Sequence, residues 1–535
     1  MHSYRHPQTG ARIFVVSMET FPTAMVCEAF GCGSNNEHKG TRGLCHVVEH
    51  LAFKKTLHFN EGDVNKIARI YGAKMNAFTS NDTTAFYAEC PNEDTERFID
   101  VISEMVTNLE FDEQHLRSER HAVLEEYRSG QDSPDSVMFH KVQNELFGPY
   151  EGFHYPVIGG VADILACTPE ILGKFFRENF TADRMAIIIA GNFPAKAPQI
   201  LAKARQSFAP LSDIRPRASP PNPFSHVWKQ MGKCVEHTVC KIPMDTAHPH
   251  LNLAWRTPGY DGDPSLVGQN IAHVLTGDDT SVLRHQLVDV LRLAVAVNVS
   301  AYQWNSAGCF IANIVPLEGK DEECIQTANQ IIHDLGQPGN KDAVTKSLGT
   351  FHAQSLFSIA DRFTSAKGFV VEVVQGMFCV QDIGDVLEST RKSLRVTHAD
   401  IKAFLETNMG QPWMCTRVDV VPATPQEQAA IRQKKQIESK VIMGVASRTG
   451  PVVGSTSETL AKQWPSRSSQ ILNDILPFPR VSRKTLGNSA TLQISHVQSD
   501  EKLCTMYISL KGTKGRTNTL GSKIATIVAA MFLEA

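Results

Sequence analysis

The pattern of apolar and polar positions predicts helices and strands in the first part of the chain. An apolar run over 44–53 follows two glycines, which predicts a mostly buried helix entered through a turn. A second helix is predicted to begin near Asp112 and to stop at Gly130, because apolar points recur between them at helical spacing. The segment 76–79 is short, apolar and β-branched, and the run 185–192 ends in a turn, so both predict strands.

The same rhythm of strand and helix returns farther along. Strands are predicted near 251–255, at 294–299 and at 309–315, with a helix around 283–291. A Pro-rich stretch over 216–223 separates this region from the first. The pattern predicts an α+β fold, with repeated units in which helices cover one face of a mostly antiparallel sheet.

We divide the chain into four predicted segments: 1–215, 225–435, a linker over 436–470, and a third, degenerate unit over 471–535. The third unit rests on an internal repeat, in which Thr519-Leu520-Gly521 aligns with Thr41-Arg42-Gly43. The alternative is coincidental similarity over a short stretch. Because the sequence stops inside the first apolar helix of this unit, we expect the chain to be a fragment or an early-terminated product.

Composition excludes several classes of function. Of 535 residues, 42% are hydrophobic and 20% charged, which is typical of a globular protein. The net charge of −3 gives no reason to expect nucleic acid or an anionic membrane as a partner. No apolar run approaches the roughly 20 residues of a membrane span, and the first residues lack the apolar core of a secretory signal. The 12 cysteines form no C-x-x-C pair, so a cytoplasmic location with reduced thiols is expected.

The segment His46–His50 carries the clearest chemical pattern, His-x-x-Glu-His. Positions i and i+4 of a helix share a face, so His46 and His50 can aim ring nitrogens at one point, as zinc ligands do. Glu49 is turned toward the same point and could hold a metal-bound water. The alternative is two surface histidines on an amphipathic helix.

A catalytic zinc needs a third protein ligand and one open position. Glu119 and Glu126 lie seven residues, or two helical turns, apart and therefore share a face of the predicted helix. A pair of carboxylates on one face suits a ligand and a supporting group. The alternative is a solvated acidic face paired with Arg120 and Arg128.

Together these residues resemble the pitrilysin/insulinase class of zinc metallopeptidases, also called inverzincins. The resemblance is carried by Gly33-Ser34, Glu37, GLCHVVEHLAFKKT at 43–56, GAKMNAFTS at 72–80, and Asp82-Thr83-Thr84. Glu126 lies 126 − 50 = 76 residues past the second histidine, in the place of the third ligand of that family, and the helper carboxylate falls on Glu119.

The resemblance implies a zinc-dependent endopeptidase that cleaves short or unfolded peptides. One zinc per chain would be held by His46, His50 and Glu126, with Glu49 as general base on the water that the metal activates and Glu119 as a further catalytic group. It also implies metallopeptidase-like halves of α+β fold.

The segment Asn76-Ala77-Phe78-Thr79 is expected to bind substrate, with Asn76, Ala77 and Phe78 as the binding residues. In the resembling family this is an edge strand to which the substrate backbone is added as a further strand. Such binding reads main chain more than side chain, so loose selectivity is expected. The alternative is an ordinary edge strand with no ligand.

The predicted second unit, 225–435, contains no His-x-x-Glu-His, and the resemblance implies an inert copy that packs against the first. In the resembling enzymes the far half of the chamber supplies further substrate-binding groups, so either a missing carboxy-terminal part or a second chain would complete it. Two alternatives stay open. One is a non-catalytic subunit that binds peptides; the other is a processing peptidase that removes targeting sequences, which a strongly acidic groove would favour.

Overall fold

In this computed structural model, the described residues are 1–148, 151–212, 239–260, 265–279, 281–305, 307–378, 383–410, 415–446, 480–485 and 491–496. The chain divides into two compact units, Met1–Pro465 and Ser466–Ala535. Within the larger unit we call residues 1–212 the first half and the described part of 239–446 the second half. Each half is built on its own sheet.

The sheet of the first half has six strands among the described residues. Its strands are β1 (His2–Arg5), β2 (Arg12–Ser17), β3 (Ala24–Phe30), β4 (Lys74–Thr79), β5 (Thr84–Cys90) and β6 (Met185–Gly191). They lie in the order β1-β2-β6-β3-β5-β4, antiparallel except for the β2–β6 pair. Strand β4 is therefore an edge strand.

Helices pack on one face of this sheet and form its main core. The helices of this half are α1 (Leu44–Leu51), α2 (Asp63–Ile70), α3 (Thr95–Thr107), α4 (Glu113–Gln131), α5 (Pro134–Phe147), α6 (Glu151–His154), α7 (Val161–Ala166), α8 (Pro169–Asn179), α9 (Ala197–Ser207) and α10 (Ala209–Ser212). Of these, α5 and α6 do not join this core and pack against the second half. Val47 and Val48 of α1 are buried in this core against sheet residues such as Val26. Local sequence sets the start of α4, where the Asp112 side chain accepts from the backbone N–H of His115.

The second half repeats the strand order of the first. Its strands are β7 (Val239–Met244), β8 (His250–Thr257), β9 (Ala294–Gln303), β10 (Gly308–Pro316) and β11 (Cys415–Pro422). They lie in the order β7-β11-β8-β10-β9, with only the β7–β11 pair parallel. Strand for strand, this matches β2-β6-β3-β5-β4. The two halves are therefore structural copies in which β9 corresponds to the edge strand β4.

The helices of the second half also follow the order of the first. They are α11 (Ser265–Thr276), α12 (Val282–Arg284), a π-helical turn (His285–Val290), α13 (Asp321–Asp334), α14 (Lys341–Arg362), α15 (Ala366–Met377), α16 (Ile383–Ser393), α17 (His398–Asn408) and α18 (Pro425–Ala446). Counted from the strands, α11 takes the place of α1, and α13, α14 and α15 take the places of α3, α4 and α5.

The two halves exchange helices. Helix α15 packs its Phe369, Val370 and Val373 on the outer face of the first sheet, and α5 packs Val142 and Leu146 on the outer face of the second. Each buried side chain of this size contributes about 1.5–3 kcal/mol, so the exchange interlocks the halves. Each sheet thus has its own helices on one face and a helix of the other half on the opposite face.

The structure confirms the α+β fold and most predicted elements. The run 44–53 contains α1, the helix expected from Asp112 is α4, and 185–192 contains β6. The predicted helix around 283–291 is a short α-helix that passes into the π-helical turn. No helix among the described residues is long and apolar enough to cross a membrane.

The predicted domain boundaries stay predictions. Helix α18 covers 436–446 of the predicted linker. Of the predicted third unit, the strands β12 (Arg480–Thr485) and β13 (Thr491–His496) form an antiparallel pair. The aligned tripeptide at 519–521 lies outside the described residues.

Candidate metal centre

Helix α1 begins at a tight junction that fixes its direction. Gly43, just before the helix, has φ +89°, and a Cβ there would lie 2.6 Å from the carbonyl oxygen of Ile158, so only glycine fits. The buried carboxylate of Glu37 accepts from the N–H groups of Gly43 (2.7 Å) and Cys45 (2.8 Å). Burial raises the pKa of Glu37 to about 8, although both N–H groups favour its charged form. One side chain therefore holds the start of the helix that carries the motif.

The three predicted ligands lie together. The Nε2 atoms of His46 and His50 are each 3.7 Å from Oε2 of Glu126, which reaches them from α4. All three atoms lie within 4.8 Å of one another. Tetrahedral zinc with bonds of about 2.0–2.1 Å separates its ligands by about 3.3–3.5 Å, so the group is close to the size that zinc requires.

The protonation state of His46 suits a metal ligand. Burial, together with the neighbouring His50, lowers the pKa of His46 to about 4, which leaves the ring neutral at pH 7. Its Nδ1 atom is buried and has no hydrogen-bond partner among the described residues. A neutral ring offers a lone pair to a cation at Nε2, and the donor set of two imidazoles and one carboxylate therefore fits zinc.

Glu119 lies behind His50 instead of beside Glu126. Its Oε2 is 3.1 Å from Nδ1 of His50, and its Oε1 is 2.8 Å from Nζ of Lys54. Burial alone would raise the pKa of Glu119, but the bonds from His50 and Lys54 outweigh it and hold the pKa below its ordinary value. A charged Glu119 keeps the proton of His50 on Nδ1 and turns the Nε2 lone pair toward Glu126. Burial alone would lower the pKa of His50. The hydrogen bond and charge of Glu119, together with the charges of Glu49 and Glu126, outweigh burial and raise that pKa.

Glu49 faces the same cavity as His46 and Glu126. The hydroxyl of Thr79, at the end of β4, donates to Oε2 of Glu49 at 2.7 Å. Burial raises the pKa of Glu49 above its ordinary value, and the bond from Thr79 partly offsets that rise. A carboxylate with a raised pKa accepts a proton more readily, which a general base requires. Sequence reasoning placed Thr79 in the segment predicted to bind substrate but did not foresee its bond to Glu49.

A cavity of about 650 Å³ opens in front of these residues. The end of β4 lines one side of it with Ala77 and Phe78, whereas Asn76 is not among the lining residues and accepts instead from the N–H of Ala77. Helix α5 lines the other side with residues at helical spacing that sequence reasoning did not single out: Ser136, Phe139, His140 and Gln143. The spacing i, i+3, i+4 and i+7 was the available signal.

The edge strand β4 pairs with β5 on one side, and on its other side no strand is paired with it among the described residues. Its free N–H and C=O groups can therefore pair with an added strand.

Comparison with known proteins decides the family. The model described as Insulinase (Peptidase family M16) matches residues 12–151, and the one described as Peptidase M16 inactive domain matches 166–347. The chain belongs to the M16 peptidase family. Both models together span the candidate metal centre of this M16 chain and much of its second half.

Relatives of this M16 chain include named proteases. It is 28% identical over 185 residues to "Uncharacterized zinc protease YmxG" of Bacillus subtilis, covering 35% of this chain and 45% of that protein. It is 28% identical over 187 residues to the mitochondrial-processing peptidase subunit beta of Neurospora crassa, covering 35% and 39%. The matched part thus spans less than half the length of these two relatives.

A solved structure shares the fold. The crystal structure of a protease from Helicobacter pylori superposes with a TM-score of 0.69 at 18% identity, and the match covers 79% of this chain and 99% of that one. At this identity the likeness concerns the fold alone.

Proposed function

We propose that this chain is a zinc metalloendopeptidase that hydrolyses short or unfolded peptides. The observation that carries the proposal is the convergence of His46 Nε2, His50 Nε2 and Glu126 Oε2 within 4.8 Å on a cavity that Glu49 also lines. The roles predicted for these residues from the sequence are kept in the proposal, with one zinc per chain.

Each residue has one task in the proposed reaction. Zinc held by His46, His50 and Glu126 would polarise the scissile carbonyl and acidify a water. Glu49 takes a proton from the attacking water on its free carboxylate oxygen and delivers it to the leaving amine. Thr79 holds the other oxygen of Glu49 and so aims the carboxylate. Glu119 orients the ring of His50 and acts through it.

The substrate class follows from the edge strand. A peptide added to β4 must present an extended backbone with free hydrogen-bonding groups, and folded proteins offer few such segments. Backbone pairing is indifferent to most side chains, so we expect cleavage at many sequences. We keep as part of the proposal that a second chain, or a part of the protein beyond the described residues, contributes further groups around the substrate.

The charge of the cavity favours this function over removal of targeting sequences. The relative from Neurospora crassa is named a processing peptidase, and basic targeting segments would be bound best by acidic walls. Among the described residues that line the cavity, the carboxylates are Glu49 and Glu126, which both belong to the proposed reaction. The remaining lining residues are neutral or histidine. No acidic wall is left over to select a basic segment.

The position of Glu49 beside the three proposed ligands supports an enzyme rather than a peptide-binding subunit. A binding subunit needs the edge strand but neither three converging ligands nor the Thr79-held carboxylate of Glu49. The cytoplasmic location expected from the cysteines stays a prediction.

Glu49→Gln tests the proposal. We expect one zinc per chain by elemental analysis in both proteins, because Glu49 is not a ligand, and a fall of about 10²–10⁴-fold in cleavage of quenched-fluorescence peptides. Glu89→Gln is the matched control, since Glu89 also accepts from a threonine hydroxyl, that of Thr23, but away from the cavity. Equal cleavage by wild type and Glu49→Gln would contradict the role of Glu49. Zinc bound without cleavage by the wild type would favour the binding subunit.

A further inference from the structure

The two halves touch at their equivalent hairpin turns. The turn from β4 to β5 contains Ser80, Asn81 and Asp82, and the turn from β9 to β10 begins with Trp304 and Asn305. Oδ2 of Asp82 accepts from the backbone N–H of Asn305 at 2.6 Å. A carboxylate of the first half thus binds the tip of the corresponding hairpin in the second half.

The turn of the second half is held firmly in place. The ring of Trp304 packs against Phe147 at 5.7 Å and Phe153 at 5.3 Å, measured between ring centroids. Tyr302 packs in the same way against Phe139 at 4.7 Å. The backbone N–H of Trp304 also donates to the carbonyl of Ala307 across the turn. The N–H of Asn305 is therefore a donor with a fixed position relative to α5 and α6 of the first half.

The second oxygen of Asp82 ties the hairpin to the segment that follows β3. Oδ1 accepts from the side-chain amide of Asn35 at 2.5 Å. Beside this bond, the N–H groups of Ser34 and Asn35 donate to the carbonyl oxygens of Ser80 and Asn81. The two segments are consequently joined side by side, with the Asp82 carboxylate between Asn35 and the second half.

Both joined segments lead directly to the candidate metal centre. Glu37, which holds the start of α1, follows two residues after Asn35. Thr79, which holds Glu49, precedes Ser80. A shift of the Asp82 turn would therefore move the end of β4 and the start of α1, and with them the general base relative to the ligands.

The burial of Asp82 makes this arrangement sensitive to its loss. Burial raises the pKa of Asp82 to about 6, while the bonds from Asn305 and Asn35 pull the pKa the other way. The bonds from its two donors are partly buried, and a donor shielded from water that loses its acceptor is destabilised.

We propose that Asp82 is a positioning residue through which the second half sets the arrangement of Glu49 and α1. This proposal rests on the proposed function, since the arrangement matters for peptide hydrolysis. It assigns the second half a task in catalysis although it carries no His-x-x-Glu-His. Displacements well below 1 Å at such groups are enough to slow a reaction.

Asp82→Asn is the test. The amide keeps the size of the side chain but turns an NH₂ group toward one of its two donors, so one bond is lost. Asp63→Asn is the control, because Asp63 is a buried aspartate of the first half that accepts from the backbone N–H of Asn60, which lies outside the joined segments. The readouts are kcat and KM on one quenched peptide, zinc content, melting temperature, and hydrogen exchange of the amides in 43–51.

For Asp82→Asn we expect kcat to fall by about tenfold to a hundredfold with KM within about twofold. We also expect faster exchange across 43–51 with zinc still bound. Asp63→Asn should lower the melting temperature by a similar amount and leave kcat and the exchange of 43–51 near wild type. The proposal is overturned if Asp82→Asn loses no more kcat than Asp63→Asn, or if exchange in 43–51 does not change.

Two further measurements keep the test decisive. If Asp82→Asn does not fold, Asn35→Ala is used instead, because it removes the side-chain amide that donates to Oδ1 of Asp82. The same fall in kcat and rise in exchange are expected. If the wild type cleaves no peptide, the proposed function fails, but exchange and the absorption spectrum of the Co²⁺-loaded protein still report whether Asp82 sets the geometry of α1 and its ligands. Unchanged exchange and an unchanged spectrum in both variants would overturn the proposal on their own.

Discussion

The junction between α1 and α4 in the first half can be compared with the junction between α11 and α14 in the second. In the first, His46 and His50 point lone pairs at Glu126. In the second, Oδ1 of Asn270 lies 2.9 Å from Nε2 of His352, and the amide of Asn270 also donates to the carbonyls of Leu266 and Ser393.

The other histidine of the second junction, His273 of α11, packs against an aromatic ring. The ring of His273 stacks on Phe351, with 4.5 Å between centroids. The first junction therefore brings together three groups that could hold a cation, whereas the second joins the same pair of helices by a side-chain hydrogen bond and a ring stack. The scaffold positions the groups, and a few residues decide whether the junction is open to a metal.

Of the substitutions at the two junctions, removal of a proposed zinc ligand should have the largest effect. We expect Glu126→Ala to lose tight zinc binding and to abolish peptide cleavage, because two histidines alone leave the metal one protein ligand short. Zinc affinity by competition with a chromogenic chelator, together with peptide cleavage, measures both losses. Glu125→Ala is the control, since Glu125 is adjacent on α4 but pairs with Arg128. Full activity in Glu126→Ala would mean that the first junction is not a metal site.

Loss of the hydrogen bonds at the second junction should lower stability without changing zinc binding. Asn270→Ala removes a fully buried amide that bonds the half-buried ring of His352 and the carbonyls of Leu266 and Ser393, so we expect the free energy of unfolding to fall by about 1–3 kcal/mol. Denaturant unfolding and zinc content check this. Asn298→Ala, an exposed asparagine that bonds Ser300 in the same half, should change stability by less than about 0.5 kcal/mol. A loss of zinc in Asn270→Ala would contradict the separation of the two junctions.

The central strands of the two sheets also differ in whether a buried polar side chain has a hydrogen-bond partner. Asn252 of β8 is fully buried and donates to the carbonyl of Val418, whereas Glu28 of β3 is fully buried and neither of its carboxylate oxygens has a hydrogen-bond partner among the described residues. Burial raises the pKa of Glu28 well above its ordinary value. Above pH 4.5 the folded protein therefore holds the proton of Glu28 more tightly than the unfolded chain does.

The last predicted effect is confined to a range of pH and arises from Glu28. With a raised pKa in the folded state, its contribution to stability is complete below the ordinary value of 4.5 and is lost as pH rises toward the folded-state pKa. Glu28→Gln cannot titrate, so the decline of its unfolding free energy between pH 5 and pH 8 should be shallower than that of the wild type, by at most about 1.4 kcal/mol per pH unit. Parallel curves would show that Glu28 is not buried in its neutral form.

Local spacing explains why part of the site could be predicted. His46, Glu49 and His50 belong to one helix, whose geometry fixes their relation without any tertiary contact. Glu126 is different, because its meeting with α1 depends on how two helices pack. The spacing of Glu119 and Glu126 made both carboxylates candidates, and the family resemblance indicated which of them would be the ligand. The repeated strand order likewise appeared in the sequence as a repeated rhythm of apolar runs.

The remaining contacts depend on pairings that no local pattern encodes. Asp82 and Asn305 are 223 positions apart, and their bond requires two hairpins in different halves to meet. The packing of α15 on the first sheet could not be predicted either, since an apolar helix face does not indicate which sheet it will cover. The bond from Thr79 to Glu49 was not predicted for a simpler reason: a threonine in a strand is ordinary, and this bond arises from the position of α1 above β4.

The exchange of α5 and α15 bears on the ancestry of this chain. A protein with one such half would leave an apolar sheet face bare and a helix without a sheet to cover. Two copies of it would satisfy both by swapping the helix across a twofold axis, as domain-swapped homodimers do. Joining the copies in one polypeptide would preserve the swap and free one of them from carrying chemistry. The two halves of this chain have the arrangement that such a fusion would leave.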